Sequence, residues 1–187
     1  MENLDILLEK AKNFHGDVCA GIAIGTRMSI LGFRELGLDP LERNRDLVVF
    51  VEADRCLADA IQAISGCSLG KRSLKFKDNG KFAATFLDLS TNKAVRISSL
   101  NKPRKDMSDK EMKDLANNIL KTPDEALFKI QKVQVNLPEE DLPGPPSHRT
   151  TCQKCDEGIM DHREIIVDCE TLCKSCVEGS YYSIIEE

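Results

Sequence analysis

The 187-residue sequence lacks two features that would place the protein in or across a membrane. It has no run of about 18 apolar residues, which is the length that a membrane-spanning helix needs. Its first fourteen residues form an amphipathic, acidic segment, whereas an export signal is basic and then apolar. We therefore expect a cytoplasmic protein without a membrane partner.

The sequence also lacks an excess of positive charge. The net charge is −5, and from Thr151 onward nine acidic residues against three basic ones give −6, so that residues 1–150 carry the remaining +1. Binding to phosphate groups requires a basic surface. We therefore expect no nucleic-acid partner.

Cysteines, by contrast, are frequent. Four of the eight form two C-x-x-C pairs, Cys152 with Cys155 and Cys173 with Cys176, which are separated by seventeen residues. Two intervening residues let both sulfurs of a turn point at one metal, and a hairpin of this length returns the second pair to it. We predict a structural zinc site with these four thiolate ligands, in a small treble-clef-like ribbon.

Two further ligand-type residues, His162 and Cys169, lie inside the same hairpin. Either side chain could replace a cysteine in principle, but the two regular pairs already fill a tetrahedron, so we interpret both residues as bystanders. A site with four thiolate ligands has no open coordination position. We therefore expect no catalysis in the ribbon.

Apolar periodicity and turn residues divide the rest of the chain into helices and strands. We predict helices at residues 2–13, 19–36, 56–64, 108–121 and 122–130, and strands at residues 47–51, 73–77, 81–89, 94–97 and 133–137. Turn residues separate the three middle strands, which predicts an antiparallel meander. The pattern indicates an α+β fold in which N-terminal helices pack on a mostly antiparallel sheet.

A proline-rich segment marks a domain boundary. Residues 138–150 contain four prolines and one glycine, a composition that favours an extended spacer. The chain is long enough for one buried domain and a small appendage. We predict an α+β metal-binding domain at residues 1–137, a linker at 138–150 and a zinc ribbon at 151–187.

A second candidate metal site lies near the N-terminus. His15 precedes Cys19 by four residues, where one predicted helix ends and the next begins. On a single helix the two side chains would share a face, and imidazole and thiolate both bind transition metals. The same spacing also fits two ordinary packing residues, so the pair alone leaves both interpretations open.

Three longer segments extend this pattern. They read FHGDVCAGIAIGTRM from residue 14, VEADRCLADAIQAISGCSLGKRSLKFKDNGKFAATF from residue 51 and KAVRI from residue 93. Together with the cysteine ribbon they resemble the FmdE family of formylmethanofuran dehydrogenase proteins. The resemblance implies that His15 and Cys19 form a first metal-binding motif, and that Cys56 and Cys67 are the cysteines of a second.

The resemblance leaves the third ligand and the metal open. Cys56 follows a predicted strand, and strand ends that face a cleft often carry binding sites, so we favour it over Cys67. Three protein ligands would leave a position for water or substrate. Zinc, nickel and iron all accept imidazole and thiolate. Asp54 and Asp59 flank Cys56, and each either orients a ligand or is simply solvated.

The sequence departs from the family pattern at two positions. Asp17 stands where the pattern commonly has a second histidine, and Ala20 stands where it commonly has proline. If that histidine contributes to metal selection or proton transfer, this protein differs from its relatives in that property.

Basic residues cluster after the second motif, at Lys71, Arg72, Lys75, Lys77 and Lys81. Such a cluster either binds an anionic group beside the metal or forms a solvated hairpin face. The resemblance favours Lys71 as a cofactor-binding residue, because the family's Gly-Lys pair lies in its second motif.

The resemblance implies a homodimeric metal-binding protein that is an accessory or regulatory component of molybdenum- or tungsten-pterin one-carbon redox chemistry. Its expected partner is the corresponding pterin enzyme complex. The alternative is a metal-dependent enzyme that acts on a small anionic substrate at the His15/Cys19 site. The sequence leaves open whether the protein is an enzyme.

Overall fold

The computed structural model describes residues 2–101 and 108–185, and it confirms the predicted α+β fold. The chain divides into two compact units, Met1–Asn136 and Leu137–Glu187. None of the helices in these described residues is both long and apolar enough to cross a membrane.

The first unit contains the helices and strands of the α+β domain. Its helices are α1 (Glu2–His15), α2 (Ala20–Leu36), α3 (Cys56–Ser65), α4 (Asp109–Lys121) and α5 (Asp124–Leu127). Its strands are β1 (Leu47–Val51), β2 (Leu74–Phe76), β3 (Ala83–Asp88), β4 (Lys93–Ser99) and β5 (Phe128–Val133).

The five strands form one sheet in the order β2-β1-β3-β4-β5. All neighbours are antiparallel except β1 and β2, which run parallel with Val49 opposite Leu74. The predicted meander was therefore wrong for its first strand. Because α3 forms a crossover after β1, the chain returns to the free edge of β1 and β2 pairs there instead of with β3.

The end of the first unit also differs from the prediction. The helix expected at residues 122–130 ends at Leu127, and the last strand covers Phe128–Val133 and not residues 133–137. The segment FKIQKV alternates apolar and polar residues, and it pairs with β4 so that Phe128 lies opposite Ser99. Backbone bonds to β4 outweigh the local helix signal of the preceding residues.

Helix α2 lies at the centre of the first unit, and its glycines permit close contacts with other elements. A Cβ atom on Gly25 would lie 2.7 Å from the Leu57 carbonyl oxygen of α3. A Cβ atom on Gly32 would lie 2.6 Å from the Phe86 ring of β3. The predicted cap at Gly37 is confirmed, with a φ of 73°. The helix therefore packs directly against α3 and the sheet.

A partly buried arginine fastens α4 to α2. The Arg27 guanidinium donates hydrogen bonds to the carbonyl oxygens of Ile119 (2.9 Å) and Leu120 (3.0 Å), which have no partner within their own helix. It also donates to the Asp124 carboxylate at 2.6 Å, at the start of α5. At the other end of α4, the predicted capping box of Ser108 and Glu111 is present.

The second unit consists of two short hairpins and a final helical turn. Its elements are β6 (Arg149–Thr151), β7 (Gly158–Met160), β8 (Ile165–Val167), β9 (Glu170–Leu172) and α6 (Lys174–Glu178). Strands β6 and β7 pair with each other, as do β8 and β9. Its small buried core contains Cys152, Ile159 and Leu172. The proline-rich segment before it includes a 3-10 turn at Glu139–Asp141 and leads directly into β6.

We expect Gly25→Ala to lower the stability of the first unit. The new Cβ would clash with the Leu57 backbone, which costs about 1–3 kcal/mol and outweighs a gain in helix propensity of at most about 1 kcal/mol. The urea midpoint, followed by circular dichroism, measures the change. Gly70→Ala is the matched control, since a Cβ there would meet nothing within 4 Å. Equal midpoints for the two variants would contradict this packing.

Candidate metal centres

The first candidate site begins at the break between α1 and α2. His15 is the last residue of α1, and Cys19 is the N-cap of α2, where its sulfur accepts a hydrogen bond from the Ile22 N–H at 3.4 Å. Gly16 allows the turn between them with a φ of 111°. The two side chains therefore meet across a helix break and not along one helical face.

Cys56 completes a group of three ligand-type side chains. It is the first residue of α3, and a Cβ on Gly21 would lie 2.9 Å from the Cys56 Cβ and 3.6 Å from the Cys19 sulfur. The absence of a side chain at Gly21 therefore brings both sulfurs together. The ligand atoms of His15, Cys19 and Cys56 all lie within 4.8 Å of one another.

A carboxylate orients the imidazole of this group. The Nδ1 atom of His15 lies 2.8 Å from the Asp59 carboxylate, which is one turn beyond Cys56 on α3. A carboxylate only accepts hydrogen bonds, so Nδ1 carries the proton and Nε2 keeps its lone pair. This is the arrangement that fixes histidine ligands at metal sites. Asp17 lies 3.7 Å from Nε2 with its carboxylate.

The donor set fits a transition metal, with one proton to be displaced. Burial, together with the neighbouring Cys19 thiol, raises the pKa of Cys56 to about 11. At neutral pH the metal-free protein therefore holds Cys56 as a neutral thiol. One imidazole and two sulfurs are a suitable ligand set for zinc and similar ions, and their binding requires loss of the thiol proton.

Two other residues from the sequence analysis lie elsewhere. Cys67 is 2% exposed, and its sulfur lies 3.3 Å from the Leu47 carbonyl oxygen, outside the group of His15, Cys19 and Cys56. Burial raises its pKa. Lys71 donates a hydrogen bond to the Gly66 carbonyl oxygen at 3.0 Å and closes its own loop.

A cavity of about 590 Å³ adjoins the metal-type group. It starts at Ala20 and Gly21, the two residues that follow Cys19, and the cations on its wall are Lys81 and Arg96. Lys81 belongs to the basic cluster that follows the second motif in the sequence. Arg96 was not singled out, although it lies in the quoted KAVRI segment. Apolar wall residues come from several elements, among them Ile24, Phe82, Leu115 and Ile119.

A buried acid holds Arg96 in place. Glu52 is 6% exposed, and its two carboxylate oxygens accept hydrogen bonds from Arg96 at 2.6 and 2.9 Å. Asn79 donates to the same carboxylate at 3.1 Å. The Arg96 guanidinium holds the pKa of Glu52 below its usual value of 4.5. The arginine is thus a paired, fixed cation in the cavity wall.

The second candidate site is the group of four cysteines in the second unit. Cys152 and Cys155 follow β6, whereas Cys173 is the N-cap of α6 and Cys176 lies in its first turn. Their four sulfurs all lie within 4.8 Å of one another. Cys169 is exposed and lies outside this group. The two predicted pairs therefore converge as their spacing indicated.

Backbone donors prepare this group for a cation. The Cys173 N–H donates to the Cys152 sulfur at 3.3 Å, and it is the main cause that lowers the pKa of Cys152 to about 6. The neighbouring thiol of Cys173 is the main cause that raises the pKa of Cys176 to about 12. Four thiolates this close together require a cation to offset their charge, which fits a tetrahedral metal.

These features define a class: an α+β domain with a mixed histidine and cysteine group, followed by a ribbon with four convergent cysteines. Residues 14–129 match the family described as "FmdE, Molybdenum formylmethanofuran dehydrogenase operon". The chain belongs to the FmdE family, and the resemblance found in the sequence is confirmed.

Two individual proteins are similar to this chain. One is a "Probable S-adenosyl-L-methionine-binding protein" of Archaeoglobus fulgidus, 31% identical over 207 aligned positions that include 96% of this chain. The chain spans only about half of that relative, 54% of its length. The other is the crystal structure of an FmdE-like protein of tungsten formylmethanofuran dehydrogenase from Syntrophus aciditrophicus. It has a TM-score of 0.65 at 22% identity, over 96% of this chain and 95% of the other, which shows a shared fold.

We expect Cys56→Ser and Cys67→Ser to differ in proton release on zinc binding. Because Cys56 is a neutral thiol at neutral pH, zinc binding beside His15 and Cys19 must displace its proton. A pH indicator in weakly buffered zinc titrations of the full chain measures the release. Cys56→Ser should release about one proton fewer than the wild type, and Cys67→Ser should match the wild type. The reverse pattern would assign the third ligand to Cys67.

Proposed function

We propose that this FmdE-family protein binds one transition-metal ion at His15, Cys19 and Cys56 and a structural zinc ion at the four ribbon cysteines. We further propose that it is an accessory or regulatory component of molybdenum- or tungsten-pterin one-carbon redox chemistry. The observation that carries the first part is the Asp59–His15 hydrogen bond beside two sulfurs. A carboxylate that fixes one imidazole nitrogen leaves the other directed for metal binding.

The ligand count supports different roles for the two sites. Four cysteines supply a complete tetrahedron, which is typical of structural zinc. The second unit is short and has a small core, so a metal would supply stability that its apolar burial does not. His15, Cys19 and Cys56 supply three ligands, and an ion held there would provide a Lewis acid with one position available to another ligand.

The link to pterin redox chemistry comes from the relatives. The family description names a molybdenum formylmethanofuran dehydrogenase operon, and the structural relative is described as an FmdE-like protein of tungsten formylmethanofuran dehydrogenase. A dehydrogenase complex of this type is accordingly the partner we propose. A homodimer stays a prediction from the sequence, which light scattering of the purified chain would test.

We expect two tightly bound metal ions per wild-type chain and one in Cys19→Ser, because the serine removes a thiolate from the first site while the ribbon keeps its own. Elemental analysis of the full chain after dialysis measures both. Asp59→Asn should weaken metal affinity at the first site by about 10- to 100-fold, because the imidazole loses its orienting carboxylate.

The matched control for Asp59→Asn is Asp54→Asn, which removes an exposed carboxylate two residues before Cys56. This control should bind metal as the wild type does. Unchanged metal content in Cys19→Ser, or equal affinities in the two aspartate variants, would contradict a metal site at His15, Cys19 and Cys56.

The cavity favours a second candidate function, a metal-dependent enzyme that acts on a small anionic substrate. Gly21 borders both the cavity and the two sulfurs, so a ligand in the cavity would lie next to the metal-type group. Lys81 and Arg96 on its wall suit a carboxylate or phosphate. The relative named as a probable S-adenosyl-L-methionine-binding protein makes that carboxylate-bearing compound one ligand to test.

For this second function we expect formate or S-adenosyl-L-methionine to change the visible spectrum of the cobalt-substituted protein, because the anion would enter the position left by three protein ligands. Lys81→Gln should weaken the response about tenfold, since a cation beside the anion is lost. Lys71→Gln is the matched control, because Lys71 closes its own loop. A spectrum that neither ligand changes would support the accessory function alone.

A further inference from the structure

Three ligand-type residues of the second unit meet outside the four-cysteine group. His148 and His162 stack with their ring centroids 4.3 Å apart and their planes 8° from parallel. The Glu164 carboxylate oxygen Oε1 lies 3.2 Å from His148 Nε2 and 3.7 Å from His162 Nδ1. With His15 already in the first group, all three histidines of the sequence lie in metal-type groups.

The local backbone explains why these side chains meet. His148 comes just before β6, and its carbonyl oxygen accepts a hydrogen bond from the Asp161 N–H at 2.9 Å, just after β7. Asp161 and His162 both adopt left-handed backbone conformations, with φ of 57° and 56°. The chain therefore turns sharply after β7, and His162 lies against His148 instead of continuing along the hairpin.

We propose that His148, His162 and Glu164 form a further metal site, which takes a divalent ion such as Zn²⁺ or Co²⁺ and is separate from the cysteine group. Two imidazoles and one carboxylate are a ligand set that zinc uses where a water position stays open. Tetrahedral zinc with its usual bond lengths requires ligand atoms roughly 3.3 Å apart. The two distances to Glu164 Oε1 are close to that value.

The other oxygen of Glu164 supports the same conclusion. Oε2 is buried and has no hydrogen-bond partner among the described residues, whereas buried carboxylate oxygens normally have one. An ion bound at the carboxylate would offset this charge. The two imidazoles are partly exposed, at 37% and 55%, so an ion can enter from solvent. Three ligands with this exposure indicate an exchangeable ion.

Imidazole NMR of the full chain, with its tightly bound metals in place, tests this proposal. One added equivalent of Zn²⁺ should shift the signals of His148 and His162 together and leave those of His15 unchanged. Added Co²⁺ should bind there without sulfur-to-metal charge-transfer absorption, since none of the three ligands is a thiolate. The proposal is independent of the His15 site, because the His15 signals report that site separately.

The variant Glu164→Gln should weaken binding of the added Zn²⁺ by about tenfold or more, since it removes the charged ligand. Glu170→Gln, which changes an exposed carboxylate in the same unit, is the matched control and should bind as the wild type does. Retained metal at the four cysteines shows that each variant is folded. Histidine signals that respond to pH but not to stoichiometric Zn²⁺, or equal affinities in both variants, would overturn the proposal.

Discussion

The first unit depends on how closely α2 approaches α3. Gly21 and Gly25 provide this approach, because a Cβ at either position would overlap atoms of α3. Packing at this distance removes apolar surface from water, as in any core. It also brings the first residue of α3, Cys56, beside the N-cap of α2, Cys19. A constraint on packing is therefore also a constraint on the metal-type group, and substitutions at either glycine affect both.

The two units obtain their stability from different sources. The first has a large apolar core between its helices and its five-stranded sheet. The second has a core of only a few residues, one of them Cys152, which is itself in the four-cysteine group. A short hairpin protein with so little apolar burial needs a covalent or metal cross-link. The group that would bind the metal and the core that the metal would stabilise are thus partly the same residues.

Local signals in the sequence were sufficient where the structure depends on nearby residues. The strand at residues 47–51, the cap at Gly37 and the convergence of the ribbon cysteines follow from short patterns. The position of β2 was not predictable in this way, because pairing with β1 depends on the path of α3. The cation beside the cavity was also misplaced: Lys71 turns back to its own loop, while Lys81, ten residues later, lines the wall. Side-chain position across a loop and a hairpin depends on tertiary contacts that spacing does not encode.

The ion pair of Glu52 and Arg96 keeps the charge of the cavity constant over the pH range of living cells. The pKa of Glu52 lies below 4.5 in the folded protein, so its contribution to stability is complete above that value and is lost as the pH falls through the folded pKa. Protonation of Glu52 would leave Arg96 as an additional uncompensated cation in the wall. Because this happens only in acid, Arg96 stays neutralised at ordinary pH, and the pull of the cavity on an anion comes mainly from Lys81. Its selectivity is consequently insensitive to moderate changes in acidity.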